Sequence, residues 1–386
     1  MSTLRTRAAV LIADDRARPY AESRPIEVME LELHGPGPGE LLVRVDAAGV
    51  CHSDLSVVDG NRPRPTPMVL GHEAAGEVLE LGTGVTDVAT GDRVVLVFVP
   101  RCGSCAACAG GTPALCPRAA AANTAGELLR GGRRFGQRTE GGLRGQPIHH
   151  HLGVSAFAEY AVVDRGSVVV VPDDLPPTTA ALFGCALLTG AGAVLNTAAV
   201  RPGESVAVLG LGGVGLAAVL GAVVAGAHPI VAVDPVAHKR ELALDLGATH
   251  AVDPTTEGGT VGQVRELVSG GVHYAFEAVG SAAVLGDAWS ATARGGTTVA
   301  IGLPHPSQEL HISAAQLVAE ARTLVGSYLG GAVPERDLPR LVELWRAGRL
   351  PVERLHSSSL PLDDVNAAMD ALADGGAVRQ VLLPHG

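Results

Sequence analysis

The chain has 386 residues, of which 47% are hydrophobic, 18% charged and 3% aromatic, with a net charge of −11. That length suits two or three domains with ample core. The acidic balance and the shortage of aromatics disfavour a nucleic-acid partner, which would ask for basic patches and stacking platforms.

The N-terminal "MSTLRTRAAVLIADD" has no apolar core followed by a small-residue cleavage site, so it does not read as a secretory leader. No apolar stretch has the flanks of a membrane span, and the run from Val206 to Val233 is broken by glycines. A cytoplasmic protein is expected. Next come "ELLVRVDAAGV", "AAGEVLEL" and "GDRVVLVF", predicted short strands separated by Gly and Pro, as in an antiparallel, barrel-like domain. Between them stand Cys51 in "AAGVCHSDL", and His72 and Glu73 in "LGHEAAGEV".

Four of the six cysteines then fall within fifteen residues, as Cys102-x2-Cys105-x2-Cys108-x7-Cys116. In a reducing compartment dense cysteine favours metal or catalysis over disulfides. Thiolate is a soft ligand suited to tetrahedral zinc, and glycines in the loop let successive sulfurs aim at one ion. An iron–sulfur cluster and unpaired surface thiols are the alternatives. Four thiolates leave no open position, so such a zinc is structural. The segment "TAGELLRGGRRFGQRTEGGLRGQP" reads as a polar loop, and "HHH" after it as a metal site or a tag scar. Cys185 lies in the apolar "ALFGCALLTG". Taken alone it reads as core, but two Cys and one His form a known catalytic zinc set with an open fourth position.

"SVAVLGLGGVGLAAVLGAVVAGAHPIVAVD" predicts strand, glycine turn, helix, strand. Gly210, Gly212 and Gly215 form G-x-G-x-x-G after an apolar run, and Asp234 ends the next one. That context points to a dinucleotide fold whose helix N-terminus receives the pyrophosphate. An acid at the ribose favours NAD over NADP. Further alternation through "ELALDLGA", "HAVD", "VGQVRELV", "HYAFEAVG", "AAVLGDAWSATA" and "TTVAIGL" predicts a doubly wound parallel sheet. "LPRLVELWRAG" and "DDVNAAMDALADGG" read as helices and "RQVLLP" as a last strand, and there is no internal repeat.

The stretches "GVCHSDL", "GHEAAGEV", the Cys102–Cys116 lobe, "PIHHHLGVSAFAEY", "GCALLTGAGAV", "GLGGVG" and "VRQVL" together resemble the zinc-dependent medium-chain alcohol dehydrogenases over nearly the whole chain. The resemblance implies a GroES-like antiparallel β-barrel catalytic domain (1–186 and 329–386, structural-zinc lobe about 101–117) and a Rossmann domain (187–328). It implies a reversible hydride transfer between an alcohol and NAD, two zinc ions per chain, and a homodimer. Cys51, His72 and Cys185 match the catalytic zinc ligands, with Glu73 behind the metal and Asp54 orienting the ligand histidine. Ser53 matches the hydroxyl that takes the substrate proton. Thr189 and Val214 match residues beside the nicotinamide, and Gly213 falls within the glycine turn. His52 and Arg379 match pyrophosphate contacts, and Lys239 an adenosine-ribose contact. Phe98, Leu152, Leu303 and Tyr328 fall on substrate-pocket positions. Two positions depart from the pattern: Ser56 where a relay histidine often stands, and Ala120 where glutathione-adduct enzymes carry Arg. The alternatives are a same-fold enzyme for a thiol adduct or pathway intermediate, and a non-enzymatic zinc protein.

Overall fold

The computed structural model describes residues 3–14, 16–136 and 146–386. They form two compact units: Met1–Cys185 with Val333–Glu335 and His356–Gly386, and Ala186–Ala332 with Arg336–Leu355. The expected return to the first domain at 329 therefore differs from the observed packing. Leu329–Gly331 and Val352–Leu355 pack on helices of the second unit, and the chain stays with the first unit only from His356. Gly330 explains part of this: a Cβ there would sit 2.1 Å from the carbonyl of Leu188, so only glycine allows that approach.

The first unit is built around the strand Glu40–Val50, most of whose residues are buried. One edge pairs antiparallel with Ala74–Leu81. The other edge is shared, Glu40–Arg44 pairing with Tyr160–Asp164 and Ala48–Val50 with Gln380–Leu383. Register shifts at Leu42/Val43 and Val45/Ala47 bend this strand, as bulges do. A second sheet pairs Thr3–Leu11 with Ile26–His34 and with Met68–Val69. Leu11, Met68, Leu70, Val45 and Phe157 share one fully buried cluster. The antiparallel, barrel-like expectation holds.

The polar loop expectation covers 124–147, of which 137–145 lie outside the described residues. The flanking part is anchored rather than loose. Phe135–Gly136 pairs with Glu32 and Leu33, and Arg134 Nε donates to the buried Glu40 carboxylate at 2.7 Å.

The second unit holds a parallel sheet of six strands among the described residues: His250–Val252, Ile230–Val233, Val206–Leu209, Val272–Glu277, Thr292–Ala300 and Thr323–Gly326, in that spatial order. The strand order reverses beside Val206–Leu209, the switch point of a doubly wound sheet, where ligands bind at the strand C-termini. Helix Gly213–Ala225 follows the glycine turn there.

Among the described residues one helical run, Pro177–Thr197, is long and apolar enough to cross a membrane, with a mean hydropathy of 1.7. It is 83% buried inside the protein, the mark of a core helix. Cys185 lies in its π-helical turn Phe183–Leu187, a distortion that recurs at functional sites.

Candidate active site

Strand Glu40–Val50 delivers Cys51 to the N-cap of helix His52–Val58. Asp54, in the first turn, is fully buried and closes the cap by accepting from Cys51 N at 3.2 Å. The same carboxylate accepts from Gly71 N at 3.2 Å and from His72 Nδ1 at 3.0 Å. Gly71 has φ +89, and a Cβ there would meet Phe157 at 2.5 Å. A glycine is therefore required just before His72.

With Nδ1–H given to Asp54, His72 turns the lone pair of Nε2 the other way. That atom is buried and has no hydrogen-bond partner. The ligand atoms of Cys51, His72, Glu73 and Cys185 lie within 4.8 Å of one another. A buried imidazole nitrogen without a partner beside two thiols is the donor set of a zinc ion, with the carboxylate behind His72 fixing its tautomer. Hydrogen bonding with Cys185 is the largest influence holding the Cys51 thiol well below its ordinary value, with Arg379 and His72 adding to it against burial. The same bond, then burial, pushes Cys185 well above.

Glu73 is fully buried and 2.9 Å from Arg379 Nη1, which also donates to the Val50 carbonyl at 3.1 Å. A Cβ on Gly49 would come within 2.6 Å of the Glu73 carboxylate, so this glycine makes room for it. Arg379 is itself buried, and the contacts seen tie it to Glu73 and Val50. Ser53 is half-buried, its Oγ 4.0 Å from Cys51 Sγ. His52 is exposed in the first turn of the helix. Ser56 donates to the His52 carbonyl at 2.7 Å, a helical back-bond. Phe98 packs edge-on to His72 at 5.5 Å between ring centroids. Leu152 is held at φ +51.

The three adjacent histidines part company. His149 Nδ1 faces Arg133 Nε at 3.2 Å, and His150 Nε2 accepts from Arg134 N at 3.0 Å. His151 instead joins the site: its ring lies 5.7 Å from that of His72, and its Nδ1 lies 3.6 Å from Asp54 Oδ1. Sequence reasoning gave His151 no role of its own, and the triplet was the one signal available.

The four-cysteine lobe also closes. Cys105 caps helix Ala106–Ala109, and Gly103 and Gly111 adopt positive φ. The Sγ atoms of Cys102 and Cys108 are 4.0 Å apart and those of Cys105 and Cys116 3.8 Å. Four sulfurs bound tetrahedrally to zinc at about 2.3 Å stand about 3.8 Å apart, so these residues fit the ion. Backbone hydrogen bonding from Ser104 is the leading cause that holds Cys102 down to about 6, whereas burial, followed by Cys105, pushes Cys108 up to about 12.

In the second unit, Gly210 has φ +91, and a Cβ on Gly215 would stand 1.7 Å from the Gly210 carbonyl. Gly212 caps the helix that Gly213 opens. Asp234, at the end of the next strand, accepts from Leu211 N and Val236 N, both at 2.8 Å. It thus stands against the glycine turn. Lys239 is buried on helix Ala237–Asp245. Its neighbour Arg240, not singled out from sequence, donates to the Asp234 carbonyl at 2.6 Å and pairs with Asp253 at 3.0 Å. The helix bearing Thr189 packs on Val214, since a Cβ on Gly190 would meet the Val214 carbonyl at 2.1 Å. Thr189 Oγ1 is buried without a partner. Leu303 and Tyr328 belong to this unit and are exposed there.

A GroES-like antiparallel unit with a buried soft-ligand cluster, joined to a Rossmann-type sheet, defines a two-domain dehydrogenase. Residues 37–173 match the alcohol dehydrogenase GroES-like domain, and 213–346 the zinc-binding dehydrogenase domain. The chain belongs to the zinc-dependent medium-chain dehydrogenase/reductase family and is an oxidoreductase of it. It is 40% identical over 384 residues to putative alcohol dehydrogenase D of Mycobacterium tuberculosis, covering 98% of this chain and 100% of the relative. It is 39% identical over 385 residues to the NDMA-dependent alcohol dehydrogenase of Amycolatopsis methanolica, covering 98% and 99%. The crystal structure of benzyl alcohol dehydrogenase from Acinetobacter calcoaceticus superposes with a TM-score of 0.90 at 32% identity, covering 98% of this chain and 99% of that one.

Proposed function

We propose that this protein is an NAD-dependent zinc alcohol dehydrogenase that interconverts alcohols with aldehydes or ketones. The observation that carries the reading is His72 Nε2, buried without a partner and gathered with the Cys51 and Cys185 sulfurs. Cys51, His72 and Cys185 would hold a catalytic zinc, and Cys102, Cys105, Cys108 and Cys116 a structural one. Bound there, the catalytic zinc supplies Lewis acidity to the substrate oxygen.

The protein's own residues do the rest. Asp54 keeps His72 in the tautomer that ligates. Ser53 accepts the hydroxyl proton of the alcohol and hands it outward; with Ser56 bonded to the helix backbone, that path runs through water or His52. The carbinol carbon gives its hydride to the nicotinamide, so the alcohol loses that hydride and the hydroxyl proton, NAD becomes NADH, and one proton is released to solvent. Thr189 and Val214 stand beside the nicotinamide in this reading, the glycine turn takes the pyrophosphate, with His52 and Arg379 as further contacts, and Asp234 and Lys239 take the ribose. Asp234 repels a 2′-phosphate and so favours NAD.

Absorbance at 340 nm with NAD and a panel of primary and secondary alcohols tests the reading. NADH should form and should cease on exhaustive chelation. A zinc-loaded protein that binds NAD yet oxidises no alcohol and reduces no aldehyde or ketone would refute it.

A further inference from the structure

Glu277 is a buried carboxylate that the proposed chemistry does not use. It ends the strand Val272–Glu277 and is 1% exposed. Its Oε1 alone accepts three backbone N–H groups, from Gly280 at 2.7 Å, Val279 at 2.8 Å and Ser281 at 3.3 Å. Its main-chain carbonyl accepts two more, from Ile301 and Gly302, both at 2.9 Å. One residue therefore fastens two turns, one by its side chain and one by its backbone.

Both turns border the glycine turn. Ala278 N donates to the Leu209 carbonyl at 2.8 Å, and a Cβ on Gly210 would meet Val279 Cγ2 at 2.5 Å. A Cβ on Gly302 would stand 2.1 Å from Gly280 N and 2.9 Å from Glu277 Oε2. A Cβ on Gly280, at φ +83, would lie 3.0 Å from the Leu303 carbonyl oxygen. The three turns thus pack together after the strands Val206–Leu209, Val272–Glu277 and Thr292–Ala300, at the strand ends where a doubly wound sheet binds its ligand. Val279 and Leu303 are held there 55% and 57% exposed, an apolar rim beside the glycines.

We propose that Glu277 is a positioning residue for the coenzyme, acting through the Val279–Ser281 and Ile301–Leu303 turns, which it holds against the glycine turn before NAD arrives. The inference rests on the NAD-dependent reading. A carboxylate oxygen accepting several N–H groups makes strong, short bonds. Without that acceptor the N–H groups of Val279, Gly280 and Ser281 turn to water, and the turn has to be ordered when the dinucleotide binds. That ordering is drawn from the binding free energy.

The test measures the Kd of NADH by fluorescence titration for the wild type, Glu277→Leu and Glu277→Gln, with Tm and amide hydrogen exchange taken on the coenzyme-free proteins. Glu277→Leu should weaken NADH binding by about ten-fold or more, the cost of ordering one or two residues on binding. Glu277→Gln keeps an acceptor oxygen in the same place and should bind NADH within about three-fold of the wild type. In the coenzyme-free wild type the amides of Val279, Gly280 and Ser281 should already be protected, and Glu277→Leu should lose that protection while Glu277→Gln keeps it. A Glu277→Leu protein with a lowered Tm but an unchanged NADH Kd would reduce Glu277 to a fold-stabilising group and overturn the inference. A Glu277→Gln protein as weak as Glu277→Leu would overturn it too. Should Glu277→Leu not fold, the wild-type exchange decides: amides at 279–281 that become protected only when NADH is added contradict pre-formation. If the wild type binds neither NAD nor NADH, the coenzyme reading itself fails.

Discussion

Asp54 serves three donors with one carboxylate: Cys51 N, Gly71 N and His72 Nδ1. Asp54→Asn keeps the shape but removes the charge and places an N–H₂ against groups that donate. Zinc affinity, measured by chelator competition, should fall by about 10- to 100-fold; an unchanged affinity would show that Asp54 does not orient His72. At the cofactor end, Asp234→Gly should narrow the gap between kcat/KM for NAD and for NADP, and equal use of both by the wild type would remove Asp234 from the ribose. The candidate ligand residues were readable because soft-metal chemistry admits few residue types, and six cysteines left few assignments. His151 was not, because its meaning comes from a spatial neighbour, Asp54, 97 positions away. Arg379 shows a related limit: its ion pair with Glu73 has no signal in the sequence, because 306 positions separate the two.

At the scale of elements, short segments carry the strain of the site. Gly71→Ala would force a side chain to φ +89 within 2.5 Å of Phe157. It should lower unfolding stability by about 2 kcal/mol or more in denaturant titration; a neutral effect would contradict this packing. The strand His149–His150 adds a pH dependence. Burial, then the Arg134 charge, hold His150 down to about 3. The unfolded chain binds that proton near pH 6.5, the folded chain only near 3. Stability is therefore complete above 6.5 and declines as pH falls toward 3. Between pH 7 and 5 this group alone should remove about 2 kcal/mol, seen as a steeper fall in Tm for the wild type than for His150→Gln. Parallel slopes would mean that His150 does not stay neutral.

Legibility differs between the two units for a physical reason. The parallel sheet announces itself by apolar runs alternating with helices and by the glycine turn. Strand Thr3–Leu11 does not: residues Ala8–Leu11 are buried on both faces, so period-two alternation is lost. Cys185 likewise sits in an apolar helix whose π-helical turn has no sequence signature.

For the whole molecule, the strand Thr323–Gly326 has a hydrogen-bonded neighbour on one side only among the described residues, and Leu324 on it and Val318 before it are exposed. An open edge with apolar side chains is a template for pairing with a second copy. The expected homodimer should therefore run as a dimer in sedimentation analysis, and Leu324→Lys should shift it toward monomer; a wild-type monomer at micromolar concentration would contradict this. The two metal clusters should also fail differently. Closed thiolate sites contribute folding free energy, whereas open ones contribute chemistry. Cys102→Ser should lower Tm, and Cys51→Ser should abolish turnover in a folded protein. The most direct measurement is the zinc content per chain of active wild type and of Cys51→Ser, by elemental mass spectrometry. The account predicts two zinc ions in the wild type and one in the inactive variant. One ion or none in the active wild type, or a Cys51→Ser protein that still oxidises alcohols, would contradict it.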